Sequence, residues 1–263
     1  MCPYTYLGGF YMKEKLYTIP LNDAVNAEDE CPFCFIERKL EQDLMDFVLG
    51  SGASYMESDI RSETNKAGFC RPHFKKMFDY GNTLGNAWIL KTHYQETIKE
   101  MKKYFSGYSS VKMGLFEKKK PKDERINTIG RWTLNEKDSC YICNQFRKEY
   151  PRYMDTFLHL YEKDPTFKEK ILSSKGFCLT HFGDLCEHAE ANLNAKQKEA
   201  FFSPLFALME KNMDRLYEDV SWLIEKFDYV NKDADWKNSK DALQRGMQKL
   251  KGGYPADPVY KKR

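Results

Sequence analysis

Four short motifs carry the residues that could do chemistry. Cys31 and Cys34 form a C-x-x-C pair, and Cys70 and His73 form a C-x-x-H pair. Cys140 and Cys143 repeat the first pattern, and Cys178 and His181 repeat the second. Cys31 recurs 109 positions on as Cys140, and Cys70 recurs 108 positions on as Cys178, so the two sets differ by one residue of insertion. Structural zinc takes four ligands in a tetrahedron, and thiolate sulfur mixed with imidazole nitrogen is a preferred set. Two donors three residues apart, in one helical turn or a tight turn, can point at one ion. A pair of each kind then closes the site.

The spacing therefore predicts two structural zinc ions per chain. One site would use Cys31, Cys34, Cys70 and His73, the other Cys140, Cys143, Cys178 and His181. Equal spacing favours sites built within each copy, because a self-contained unit is what a duplication inherits. A closed Cys3His site leaves no position open for substrate, which argues for structure over catalysis. The surroundings repeat as well, with Gly68-Phe69-Cys70 leading to His73-Phe74 and Gly176-Phe177-Cys178 leading to His181-Phe182. If each pair starts a helix, the positive helix end favours the thiolate that binds metal. Phe69, Phe74, Phe177 and Phe182 would then wall off water.

Three other readings of the cysteines stand beside this one. Unliganded thiols pack as small hydrophobes, but packing does not require duplicated spacing. Cys31-Pro32-Phe33-Cys34 looks locally like a glutaredoxin-type redox site. It lacks a preceding strand, and the second copy, Cys140-Tyr141-Ile142-Cys143, lacks the proline. Iron–sulfur ligation by cysteine and histidine is the third alternative. Cys186 reads as a buried free thiol outside the sites, and His93 as a surface or interhelical residue.

The positioning elements read as helices, so the fold class is all-α: two tandem helical repeats, each metal site joining helix N-termini. Ile36, Leu40, Leu44, Phe47 and Val48 follow a 3.6-residue period after Cys34. Phe146, Tyr150, Tyr153, Phe157 and Leu160 do so after Cys143, with Pro151 expected to kink or restart the helix. Leu84, Trp88, Tyr94, Ile98, Met101 and Phe105 form a later stripe, expected to be core. Leu205, Leu208, Asn212, Leu216, Val220, Leu223 and Phe227 form its counterpart.

These stretches order the chain. An N-terminal segment spans 1–29, of which 1–11 reads as extra. Helical repeat 1 spans 30–116, a lysine-rich linker 117–128, and helical repeat 2 129–230. The tail, 231–263, holds a short amphipathic piece (Ala242, Leu243, Met247, Leu250) and then Gly252-Gly253, read as a docked helix with a loose end. Between helices of the first repeat, Tyr55, Glu57, Arg61 and Asn65 read as a ligand-binding loop or as a capped short helix, with the cap favoured.

Composition sets the limits. The chain has 263 residues, 41% hydrophobic and 31% charged, as in an ordinary globular protein with a charged surface. A net charge of +3 is too mild for a nucleic-acid or anionic-membrane partner. No apolar run nears the roughly 20 residues of a membrane span, and no secretory signal is evident. These features point to the cytoplasm, where thiols stay reduced and eight cysteines call for metal or redox chemistry.

Cys-Pro-Phe-Cys, Ser54-Tyr55-Met56-Glu57, Thr64-Asn65-Lys66-x-Gly68-Phe69-Cys70-x-x-His73-Phe74 and Asn238-Ser239-Lys240-Asp241-Ala242 together resemble a family of bacterial proteins catalogued as a domain of unknown function. It is seen mostly in anaerobic Gram-positive bacteria. The resemblance runs from about Met12 onward. It implies a cytosolic bacterial protein with the paired motif and brings no activity, substrate or partner. The residues then support a zinc-stabilised, non-catalytic binding or scaffold protein that meets a protein partner or a small ligand. The alternative is an enzyme, either thiol-redox or iron–sulfur through these cysteines, or with a cleft between the repeats.

Overall fold

The structure, a computed structural model, describes residues 7–52, 54–108 and 127–253, with residues 7–15 as backbone only. Among the described residues all regular structure is helical, as the periodicity predicts. None of these helices is long and apolar enough to cross a membrane. The order is α1 (Leu7–Asn26), α2 (Pro32–Leu49), α3 (Ser58–Ala67), α4 (Arg71–Tyr80), α5 (Thr83–Ser106), α6 (Thr128–Asp138), α7 (Tyr141–Lys163), α8 (Pro165–Ser173), α9 (Leu179–Asn192), α10 (Ala195–Glu225) and α11 (Ala242–Lys251).

The chain forms two compact units, the first of them discontinuous in sequence. One draws on the chain up to Leu40 and again from Lys148, the other on Glu41–Arg147. In the first, Leu21, Phe33, Ile36, Phe157, Phe167, Phe177, Leu185 and Leu205 share one buried core. Phe157 meets Phe167 and Phe177 edge-on, at centroid distances of 5.6 and 5.7 Å, an arrangement that suits the ring quadrupoles. In the second, Met45, Val48, Leu49, Phe69, Met77, Ile89 and Ile142 form the core.

Local chemistry sets the helix ends. Asn194 caps α10 with a reciprocal capping box to Gln197. Asn82 accepts from the Gly85 N–H at the start of α5, and Asp164 from Thr166 and Phe167 at the start of α8. Gly81 ends α4 in the left-handed conformation that glycine adopts without strain.

Four expectations change. Residues 1–11 read as extra to the fold, yet the backbone is helical from Leu7. α7 is one helix through Pro151 and does not restart there. The apolar stripe of α5 is exposed, with Leu84 at 66% and Tyr94 at 62%. The face of α5 that packs carries Gly85 and Ile89, whose small or compact side chains admit a close neighbour. His93 bonds inward as well, its Nδ1 2.7 Å from the Asn65 carbonyl. Periodicity finds a stripe but not which stripe meets a partner. α11 docks as expected and buries Ala242, but Leu243, Met247 and Leu250 are exposed while Gln248 and Lys249 are buried, so most of its docking face is polar. Residues 1–6, most of the linker and the chain beyond Gly253 lie outside the described residues, Cys2 among them.

Candidate metal centres

Each of the four motifs opens a helix in the same way. Cys70 and Cys178 are the N-cap residues of α4 and α9, and Cys31 and Cys140 directly precede α2 and α7. The carbonyls of Cys31, Cys70, Cys140 and Cys178 accept from the N–H four residues on, at 3.2, 2.9, 2.9 and 2.8 Å. The second donor of each pair therefore sits in the first helical turn, above the first. Pro32 occupies the opening position of α2, where an N–H would have no helical partner. At the matching place Tyr141 donates to the Gly68 carbonyl at 2.9 Å and ties two motif loops together. Gly68, at φ 57°, turns the chain into its motif, and a Cβ there would stand 2.6 Å from the His93 ring.

The structure brings all eight predicted ligands into two groups of four, but it exchanges the partners. Cys31 and Cys34 meet Cys178 and His181, and Cys70 and His73 meet Cys140 and Cys143. The expectation of sites within each copy is thus overturned. Equal spacing is also satisfied when the C-x-x-C of one copy meets the C-x-x-H of the other, so spacing does not discriminate.

In each group the four donor atoms lie within 4.8 Å of one another. His181 Nδ1 is 3.4, 3.4 and 3.2 Å from the sulfurs of Cys31, Cys34 and Cys178, and the Cys34 and Cys178 sulfurs are 3.7 Å apart. His73 Nδ1 is 3.1, 3.2 and 3.5 Å from those of Cys70, Cys140 and Cys143, and the Cys70–Cys143 separation is 3.9 Å. Bonds of about 2.3 Å to sulfur and about 2.0–2.1 Å to nitrogen give tetrahedron edges of about 3.8 Å between sulfurs and about 3.5 Å from sulfur to nitrogen. The donor sets fit a single four-coordinate ion.

Both histidines present Nδ1 to the sulfurs and turn Nε2 toward a carboxylate. His73 Nε2 is 2.8 Å from Glu41, which also pairs with Lys76 at 2.6 Å. His181 Nε2 is 3.8 Å from Glu37. Such an outer carboxylate fixes the ring and raises its basicity toward a metal. Burial opposes charge on His73, yet Cys140 and Glu41 lift its pKa to about 10. Hydrogen bonds from Cys31 and Cys34 bring Cys178 down to about 3, while burial raises Cys31. Burial likewise opposes the Cys140 thiolate, but His73 lowers it to about 6. Cys178 and Cys140 are thus biased toward the thiolate, the form that binds metal.

The two groups differ in cover. All four residues of the Cys31 group are buried, whereas Cys70 and Cys143 are half-exposed. Phe33 lies 6.0 Å from the His181 ring and 6.0 Å from Phe177, and Tyr150 stands 5.8 Å from the same histidine. On another side Gly252, which follows α11, comes so close that a Cβ would be 3.4 Å from the Cys178 sulfur. The expected aromatic wall is present at both groups: Phe69 and Phe177 are buried, with Phe74 and Phe182 packed beside them.

Other sequence candidates fall elsewhere. Cys186 is half-exposed on α9 and joins neither group. Tyr55 lies in a 3-10 turn and packs on the second core, and Glu57 precedes α3 without a side-chain cap. Arg61 donates to the Met56 carbonyl at 2.8 Å, and the Asn65 side-chain oxygen is buried without a hydrogen-bond partner. Sequence reasoning missed Glu37, Glu41 and the closure by Gly252. Glu37 and Glu41 lie on α2, one and two turns beyond the Cys31–Cys34 motif, and face histidines far along the chain, while Gly252 comes from a segment with no motif of its own.

Fold and site together define an all-helical protein with two Cys3His groups able to hold metal ions. The chain belongs to the family described as a family of unknown function (DUF6062), which matches residues 12–257. No curated protein and no solved structure matches it.

Proposed function

We propose that the protein binds two zinc ions, one in each Cys3His group, as structural ties, and serves the cytoplasm as a non-catalytic binding or scaffold protein. The observation that carries this is the donor spacing, which matches the edges of a zinc tetrahedron in both groups. Four protein ligands complete the shell of each ion, so none is left to activate a substrate. An iron–sulfur cluster spreads its ligands over two or more irons. Donors all within 4.8 Å of one another suit one ion better. Redox use of Cys31-Pro32-Phe33-Cys34 needs a reachable thiol, and both cysteines are buried.

A tandem duplication is part of the same reading. The order of a C-x-x-C helix, a short helix, a C-x-x-H helix and a long helix occurs as α2–α5 and again as α7–α10. The deciding experiment is metal analysis of protein purified without added metal, together with its visible spectrum. Two zinc per chain and a colourless solution are expected, with loss of helical signal on strong chelation. Iron with a brown colour, or metal-free protein that stays folded, sinks the proposal.

A further inference from the structure

We infer that the first unit carries a second kind of site, a pocket for a compact polyanion of the class of small molecules bearing two or more phosphate groups. A cavity of about 570 Å³, within the usual range for ligand sites, opens among the turn after α8, the middle of α10 and the segment leading into α11. Lys175, Lys211, Arg215, Lys237, Lys240 and Arg245 line it. The single acid on its wall, Asp241, is held by Arg245 at 2.9 Å.

The six cations fall into two sets. Arg215 and Arg245 are fixed from behind, Arg215 by Glu30 at 2.6 Å and Arg245 by Asp219 at 3.0 Å. The four lysines have no carboxylate partner among the described residues. Lys175 donates to the Glu28 carbonyl at 2.6 Å, and Lys237 lies 4.0 Å over the Trp222 ring. Lys211 and Lys240 are exposed. Four ammonium groups with no carboxylate to neutralise them repel each other around one concavity, and a bound anion relieves that repulsion. Lysine is a standard phosphate partner, acting as a point charge.

The wall also says what the ligand lacks. Hydroxyl and amide groups of Ser173, Ser174, Asn212 and Asn238 complete it, with no aliphatic or aromatic side chain. With no aromatic ring or aliphatic side chain in the wall to favour a base or an acyl chain, the cations make phosphate the group it recognises best. A nucleic-acid strand needs cations in a track along its backbone, with rings for its bases. Here they surround one hollow in a chain of net charge +3. The segment Asn238–Ala242, distinctive in the sequence and unused by the metal groups, supplies Asn238, Lys240 and Asp241 to this wall.

The test is calorimetric titration of the metal-loaded full chain with fructose 1,6-bisphosphate and with inorganic pyrophosphate at low salt. Metal content is measured before and after, so that stripping is not mistaken for binding. Saturable one-to-one binding that weakens with salt is expected for at least one probe. Lys211→Glu with Lys240→Glu should cut affinity about tenfold or more, since each removes a charge-assisted contact. Metal content and melting temperature should stay unchanged. The charge-matched pair Lys102→Glu with Lys103→Glu, on α5, should leave binding intact. No saturation with either probe, or equal losses in both double variants, overturns the inference. So does a single-stranded oligonucleotide that binds more tightly than both probes with an affinity that grows with its length.

Discussion

At His73 the imidazole stands between sulfur and carboxylate, with Nδ1 toward Cys70, Cys140 and Cys143 and Nε2 2.8 Å from Glu41. Glu41→Gln keeps the shape and removes the charge that makes the ring a stronger donor. With zinc bound, affinity at that group should fall about 10–100-fold while the Cys31 group is unaffected, as read by competition with a chromophoric chelator. Tyr161 offers a different test. Its ring is buried, its hydroxyl has no hydrogen-bond partner, and burial raises its pKa to about 12. A raised pKa gives stability that is full below about pH 10, the ordinary tyrosine value, and is lost as pH climbs toward 12. Tyr161→Phe should remove that alkaline loss and stabilise the protein by about 1 kcal/mol at neutral pH, measured by denaturant melts, because a buried unpaired hydroxyl is a cost. The members of the two Cys3His groups were legible residue by residue because each pair is local, three positions apart. Glu41 was not, since it reaches His73 across 32 positions and from another helix.

Among the elements, α11 shows most clearly how pattern and packing part. Its apolar residues suggested docking through Ala242, Leu243, Met247 and Leu250, yet of these only Ala242 is buried, and Lys249 is the anchor. Its ammonium is 2.6 Å from the carbonyls of both Glu30 and Lys175 and 3.1 Å from the Glu30 carboxylate. A hydropathy pattern gives no weight to a buried lysine, so only the position of Glu30 reveals the true face. Lys249→Met breaks a buried ion pair and should cost about 3–5 kcal/mol. It should also speed thiol labelling at Cys34 and Cys178 as Gly252 is drawn away. Gly252→Ala forces a side chain into φ 74° beside Cys178 and should cost about 1–2 kcal/mol. The Cys70 group has half-exposed thiols, so chelators should strip it first, and alkylation mapped by mass spectrometry should mark Cys70 and Cys143 before any other ligand.

For the whole molecule, helical class, helix starts and the eight metal-group residues were readable, whereas the pairing of motifs was not. Which C-x-x-C meets which C-x-x-H is decided by cores built from distant segments, and no local signal encodes it. The exchange predicts a cleavage experiment. Chain cut between residues 108 and 127 leaves each half holding one C-x-x-C and one C-x-x-H that belong to different groups. With metal bound, the halves should elute together on gel filtration. Chelation should weaken that union far more than it weakens an intact chain, because only the cut chain lacks a peptide link.

The exchanged pairing also fixes how the protein bears force. A pull on the two ends of the metal-loaded chain enters at Cys31 and Cys34 and leaves through Cys178 and His181, crossing the ion rather than the polypeptide between them. Cys34 and Cys178 are 144 positions apart, so about 500 Å of contour length stays slack behind one coordination centre at about 3.5 Å per residue. In an optical trap that length should appear as two late extension steps. The Cys70 group lies inside the loop and holds the 73 positions between Cys70 and Cys143 until its own metal–thiolate bonds rupture, and chelator should abolish both delays.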